Sequence, residues 1–459
     1  MRFGMVWLMM GAVLCAAWAG AEQSAERLRA STFDIDVTPP LGMELAYEEV
    51  EAHWDLGLRA KGVVLLGAGD PIVLCGIDWI GIANAAYDAF RQALADAVDT
   101  SPERVAVHAL HQHDAPACDF SAEEILKEFG HDPGPYEGSF AREVIERLAE
   151  AARDSLDDAE PVTHVGTGEA EVHEVASNRR ILGEDGTVRV TRYTATRDPV
   201  IRAEPEGVID PMVSLVSFWN EEAPVAVLSY YAVHPQSYYR TGAPNPDFPG
   251  VARFFRQLAV PEALHVHFTG AAGDLGAGKY NDGSPENRLT LAERLADGMR
   301  RAWENTSKTP VTPADVDWRV ESVTLPLGGH MAAERFERIL SEGEPEGDYG
   351  INLSARKLAW LRRTEAGHQV DLSCLHIGPA SILHFPAETF VEYQLAAKEQ
   401  RPDRFVTMAA YGEYGPGYIG TAEAYEQGGY ETSDRATRVS PEVEEVLTDA
   451  IKKLLEPRP

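Results

Sequence analysis

His111-Gln-His113-Asp114 places two imidazoles two residues apart, directly after a run, Arg104–Leu110, that reads as a buried strand. In an extended chain, residues i and i+2 point to the same side, so both rings can address one point. The carboxyl end of a strand in an open α/β sheet is also where ligands usually bind. A second pair of the same spacing, His265-Val-His267, lies inside the run Ala263–Phe268 rather than after it, which favours a structural role in a polar layer. His234 closes the run Val225–Tyr230 and precedes the turn-rich Asn245-Pro-Asp247-Phe-Pro-Gly250. Glu388 follows Leu383-His-Phe-Pro-Ala387 at a strand-to-helix junction. Tyr418 and Tyr430 lie in a segment too glycine-rich for a stable helix and unusually aromatic for a loop. Strand ends and loops are where a scaffold presents functional groups. Two neutral imidazoles, a carboxylate and one more oxygen would complete a catalytic zinc site with room for water. A phenol titrates at about 10 and is a rarer ligand, but a nearby cation favours its phenolate.

Other chemistries lack their residues. There is no Gly-x-Ser-x-Gly elbow and no His-Glu-x-x-His helix. Gly273-Asp-Leu-Gly-Ala-Gly-Lys-Tyr280 comes near a phosphate loop, but Tyr280 stands where a Ser or Thr must reach magnesium.

These residues need elements to hold them. Apolar runs that suit buried strands alternate with amphipathic runs of helical period, which predicts a layered α/β architecture of mixed sheets flanked by helices. The expected strands are Gly62–Leu66, Ile72–Ile77, Arg104–Leu110, Val225–Tyr230, Ala263–Phe268, Leu372–Ile377 and Ser381–Phe385, the last two forming a hairpin over Gly378-Pro379. Helices are expected at Ala85–Ala97, Phe140–Leu156, Pro249–Leu258, Asn287–Asn305 and Glu388–Lys398, with a final one starting near Pro441 and ending near Leu455. Asp119–Gly138 and Glu342–Tyr349, acidic and Gly/Pro-bearing, read as surface loops. No internal repeat, low-complexity tract or linker is visible, so residues 22–459 read as a single domain on which the site residues converge.

Residues 1–21 read as a secretory signal: Arg2, an apolar core Val6–Ala17, and small residues for cleavage at Ala17-Trp-Ala19 or Ala19-Gly-Ala21. That core is too short to span a bilayer comfortably, and no later stretch reaches about 18 uninterrupted apolar residues. The expected product is secreted or periplasmic, with no transmembrane anchor. With 41 Lys+Arg against 73 Asp+Glu the formal net charge is −32, which argues against nucleic acid and against docking on anionic lipid. Of four cysteines Cys15 lies in the leader, so Cys75, Cys118 and Cys374 allow at most one bridge.

Side by side, these segments resemble the neutral/alkaline, non-lysosomal ceramidase family, and more closely the bacterial proteins that share its N-terminal catalytic domain. The resemblance begins at Phe33-Asp-Ile-Asp-Val-Thr-Pro-Pro-Leu-Gly42, like the family's "DITPP-G", and runs to Tyr430-Glu431. It implies that His111, the first histidine of an "HTHS-P"-like motif, His234, Glu388 of a "PGE"-like Pro-Ala-Glu, and Tyr418 hold one zinc ion per chain. It implies that His113 faces substrate, that Tyr430 hydrogen-bonds the reacting carbonyl, and that Arg179 in Ser177-Asn-Arg179 is the family's site arginine. Two departures stand out. The family's "GD-SP" serine, often described as its nucleophile, is replaced in Gly273-Asp274-Leu275-Gly276-Ala277, and the chain ends without the immunoglobulin-like C-terminal domain of full-length ceramidases.

Without that serine the implied chemistry rests on zinc and water, with attack on an amide or ester carbonyl. Zinc, Tyr430 and Arg179 would stabilise the oxyanion. His113 would move the proton, with Glu388 the alternative base. Asp247 and Asp274 would orient the imidazoles from behind or cap their own loops. The expected substrate is a small molecule or lipid with an N-acyl bond, ceramide-like or otherwise. The alternatives are a zinc hydrolase of another amide, ester or carbohydrate-derived bond, and a non-catalytic zinc-containing binding protein.

Overall fold

Three mixed sheets built on one plan carry most of the chain. The computed structural model describes residues 27–54, 56–347 and 349–457. The expected leader lies outside the described residues, and Cys15 with it.

In the first sheet Arg29–Asp36, Arg59–Leu66 and Ile72–Ile77 form an antiparallel meander. The helix Ala85–Val98 then crosses over, and Val105–Ala109 joins the edge parallel to Ile72–Ile77. A parallel neighbour requires such a crossover, because a hairpin can only reverse the chain. The second sheet repeats the plan with His164–Glu171, Met212–Asn220 and Ala223–Tyr231, the crossover helix Asp247–Ala259, and Leu264–Thr269 parallel at the edge. The third repeats it with Val316–Val323, Val370–Ile377 and Ala380–His384, the helix Val391–Gln400, and Phe405–Ala409. In each unit a further helix packs beside the crossover helix: Ser139–Ser155, Pro285–Glu304 and Val443–Leu455 respectively. Short strands after the first two of these, Glu160–Pro161 and Ser307–Pro310, return to pair with the first strand of their own units. The chain therefore has a threefold structural repeat where the sequence shows none.

Alternation along the strands explains the layering. Val63, Leu65 and Leu74 of the first sheet, Val216, Phe218 and Leu228 of the second, and Leu375, Ile377 and Ile382 of the third share one hydrophobic cluster. Their sequence neighbours Val64 and Val73, Val213 and Leu215, Leu372 and Leu383 lie in three separate clusters with the helices of each unit. Successive side chains point to opposite faces, so the inner faces meet around a common core and the outer faces are covered by helices. A buried ion pair ties the first two units together: Arg253 donates to both oxygens of Asp78, at 2.7 and 2.6 Å.

The expected strands and hairpin are present, and most expected helices begin and end within a few residues of their predicted bounds. Two expectations change. Asp119–Gly138 is not all loop: Asp119 accepts from Ala122 N and starts a helix, Phe120–Glu128, that buries Ile125 and Leu126. Glu388 is not in the helix that follows it but in a two-residue strand, Glu388–Thr389, parallel to Tyr418–Ile419. Cys75, Cys118 and Cys374 are all free and buried; Cys75 and Cys374 belong to the outer layers of different units, so no bridge forms. Among the described residues no helix is long and apolar enough to cross a membrane.

Candidate metal centre and active-site cavity

The carboxyl ends of the three edge strands meet. Ala109 N donates to Tyr411 O, Ala410 N to Thr269 O, both at 2.9 Å, and Thr269 Oγ1 to Leu110 O at 2.8 Å. Each unit then sends its functional residues from a strand end into the junction.

From the first unit, His111 turns inward with φ 75, in the left-handed region. Its Nδ1 lies 2.5 Å from Ile80 O. A carbonyl only accepts, so Nδ1 carries a hydrogen, and Nε2 faces Glu388 Oε2 at 3.5 Å. His113 stacks on Tyr47, ring centroids 5.3 Å apart, and its Nδ1 accepts from Gln236 Nε2 at 2.9 Å. From the second unit, His234 sets its Nε2 3.2 Å from His113 Nε2, and its Nδ1 lies 3.8 Å from Glu388 Oε2. Burial, followed by the charges of His111 and Arg179, holds both His113 and His234 well below the usual imidazole range, so both are neutral near pH 7. Nitrogens of His111, His113 and His234 all lie within 4.8 Å of one another, a spacing that could hold a metal ion.

The third unit supplies oxygen. The short parallel pairing sets Glu388 opposite Tyr418. Ala387, before it, has φ 47, a conformation that costs a non-glycine residue roughly 1–2 kcal/mol; the "PGE" segment it resembles has glycine there. Glu388 Oε1 accepts from Tyr414 OH at 2.5 Å, whereas Oε2 is buried with no hydrogen-bond partner. Burial alone would raise this carboxyl, but His111 and the hydroxyls of Tyr414 and Tyr418 hold it below its usual range. An orphaned carboxylate oxygen facing an imidazole nitrogen needs positive charge between them, and a divalent cation fits that need.

Tyr418 receives a hydrogen bond from Arg179 Nη2 at 3.2 Å, and Arg179 is ion-paired to the fully buried Glu431 at 2.9 Å. Arg179 thus stands behind Tyr418 and off the cavity wall. The backbone at Gly276 runs beside it, and a Cβ there would meet Arg179 Cδ at 3.2 Å. Tyr430 packs edge-on to Tyr418, ring centroids 5.6 Å apart, at the wall. All seven sequence-predicted site residues therefore come together, in a cavity of about 300 Å³ or directly behind it.

Of the two expectations for the aspartates, loop capping holds for Asp247 and neither one hydrogen-bonds an imidazole among the described residues. Asp247 accepts from Ser237 N and Oγ and from Phe248 N, fixing its own loop. Asp274 accepts from Asn178 Nδ2 and Val391 N, beside Arg179 and at the start of the third crossover helix. The imidazoles are oriented by Ile80 O and Gln236 instead. His265 and His267 are buried in their strand; His267 pairs with Ser229 Oγ at 2.9 Å, far in role from the cavity. Tyr47, Gln236, Tyr411 and Tyr414 escaped sequence reasoning. Tyr411 had a signal, since it follows the run Phe405–Ala409 as His111 follows its strand, and it stacks on His111 at 4.4 Å.

No protein-family model matches the sequence, and no curated protein does. The structure places it: the chain has the fold of the neutral ceramidases. It is similar to the neutral ceramidase from Pseudomonas aeruginosa, with a TM-score of 0.67 and 18% identity over 93% of this chain and 73% of that one. It is likewise similar to a ceramidase complexed with C2, with a TM-score of 0.66 and 18% identity over 93% and 74% of the two chains.

Proposed function

We propose that this chain is an exported zinc-dependent hydrolase that cleaves an N-acyl amide bond. The observation that carries the reading is the orphaned, buried Glu388 Oε2 facing His111 Nε2 at 3.5 Å. His111, His234, Glu388 and Tyr418 would hold the ion, an N/O set that suits zinc. Bound, zinc polarises the scissile carbonyl and lowers the pKa of water from about 15.7 to about 7.

The chain's own residues supply the rest. Gln236 donates to His113 Nδ1, so the ring hydrogen sits on Nε2, which faces His234 at the cavity. There the N–H can donate a hydrogen bond to the substrate, while Glu388 would take the proton of the attacking water and return it to the leaving nitrogen. Tyr430 is half-buried at the wall and offers its hydroxyl to the developing oxyanion. Burial holds the Tyr418 phenol well above its usual range, and Arg179, donating to its oxygen, acts against that shift.

The test is hydrolysis of a panel of N-acyl amides, ceramide included, by the purified chain with chelator and after zinc is restored. Activity on at least one amide, abolished by chelation and recovered with zinc, is the expected result. Hydrolysis indifferent to chelation would overturn the reading, as would full zinc retention by both His111→Ala and His234→Ala.

A further inference from the structure

The wall of the cavity beside the candidate metal centre carries Arg356 and Arg438, with Glu388 as its one carboxylate. Arg356, on the helix Ile351–Glu365, reaches the wall shared with a smaller adjoining chamber of about 90 Å³. Its guanidinium faces the rings of Tyr136 and Tyr414, at 5.9 and 5.5 Å from their centroids, and makes no ion pair among the described residues. The carboxylate of the smaller chamber, Asp119, already accepts from Ala122 N and Asn84 Nδ2. Arg438 is 3% exposed; one nitrogen donates to Gly415 O and its buried Nε has no partner. Behind them Lys357 is fully buried, donating only to Thr437 O. Burial, with the charges of Arg438 and Arg356, pushes the Lys357 ammonium down to about 6, and burial with Arg356 pushes Arg438 down to about 10. The carboxylates whose charge reaches this group are Asp119 and Asp434, and neither forms an ion pair with Arg356 or Arg438 among the described residues.

We propose that this wall binds an oxyanion carried by the substrate, a carboxylate or a phosphate, with Arg356 as its main contact and Arg438 beside it. The inference rests on the hydrolase reading above and names the substrate class for it: an acidic N-acyl compound. Guanidinium groups pair with planar or tetrahedral oxyanions through two parallel hydrogen bonds, and an unpaired guanidinium in a cleft is disposed to do so. Tyr414 sets the spacing, its ring 5.5 Å from Arg356 and 5.4 Å from the His111 ring, so the guanidinium carbon lies at most about 11 Å from that imidazole. The lining agrees: Leu353 is the one large aliphatic side chain on the cavity wall.

The experiment uses three matched probes: N-octanoylethanolamine, N-octanoylglycine and the phosphate ester of N-octanoylethanolamine. Binding to the full chain is measured by calorimetry under chelator, so that no metal holds the anion and no amide is cleaved; hydrolysis is measured separately with zinc. The carboxylate or the phosphate probe should bind about 10- to 100-fold more tightly than the neutral one, the worth of a charged hydrogen-bonded pair. Which of the two binds better identifies the anion. Arg356→Gln should bring the anionic probes to the affinity of the neutral one, and Arg356→Lys should recover part of the difference. Equal binding of all three probes by the unmodified chain overturns the proposal whatever the variants do. Anion-selective binding without hydrolysis of any probe or of any amide of the panel above keeps the anion site and sinks the hydrolase reading; hydrolysis without anion preference does the reverse.

Discussion

Glu388 sets its two oxygens in different surroundings, and the difference is testable. Oε1 is tied to Tyr414 OH, which leaves Oε2 aimed at His111 and His234. Tyr414→Phe keeps the ring that packs near His111 and Arg356 and removes only the hydroxyl. Partners of this kind orient a ligand, and losing one typically weakens metal binding about 10- to 100-fold. Competition against a zinc-chelating dye should show that loss; unchanged affinity would mean that Glu388 is not a ligand. The sequence made His111, His234, Glu388 and Tyr418 visible because each follows a strand or sits in a segment that no regular element explains. Tyr414 and Gln236 act through contacts made far along the chain, and Gln236 reaches His113 only because the loop after His234 is fixed by Asp247. No local pattern announces a partner 26 or 123 residues away.

At the scale of an element, the strand Leu264–Thr269 carries a pH liability. Burial, and then the charge of Arg253, pushes His267 down to about 3 from the ordinary 6.5. Above pH 6.5 the ring is neutral folded or unfolded and contributes nothing. As pH falls below 6.5 the unfolded chain takes up the proton and the folded one does not until about 3, so stability drops across that window. At pH 5 the cost is about 2 kcal/mol for such a histidine. His267→Asn can still bond Ser229 Oγ and cannot titrate. Urea unfolding at pH 7 and pH 5 should therefore show a loss smaller by about 2 kcal/mol in the variant than in the parent; an equal loss would mean that the ring is not held neutral. The strand itself was legible as a short apolar run. The helix Phe120–Glu128 was not, because its acidic and Gly/Pro-bearing surroundings outweigh the few residues, Ile125 and Leu126 among them, that bury its inner face.

The three units diverge in sequence because their shared plan asks only for alternating apolar strands and amphipathic helices, which countless sequences satisfy. That is why the repeat is plain in the structure and absent from the residue pattern. What the units do not share is what each brings to the centre: His111 and His113 from the first, His234 from the second, Glu388 and Tyr418 from the third. A cation held there would be bound by all three at once, so its binding energy should stabilise the whole assembly. Zinc at about a thousandfold over its dissociation constant would add about 4 kcal/mol to unfolding. In urea, zinc should shift the entire transition of the parent chain to higher denaturant. His111→Ala and Glu388→Gln, though in different units, should each abolish that shift. If zinc moves only part of the transition, or if either variant keeps the full shift, the ion is not shared by the three units and the convergence of their strand ends does not make one metal centre.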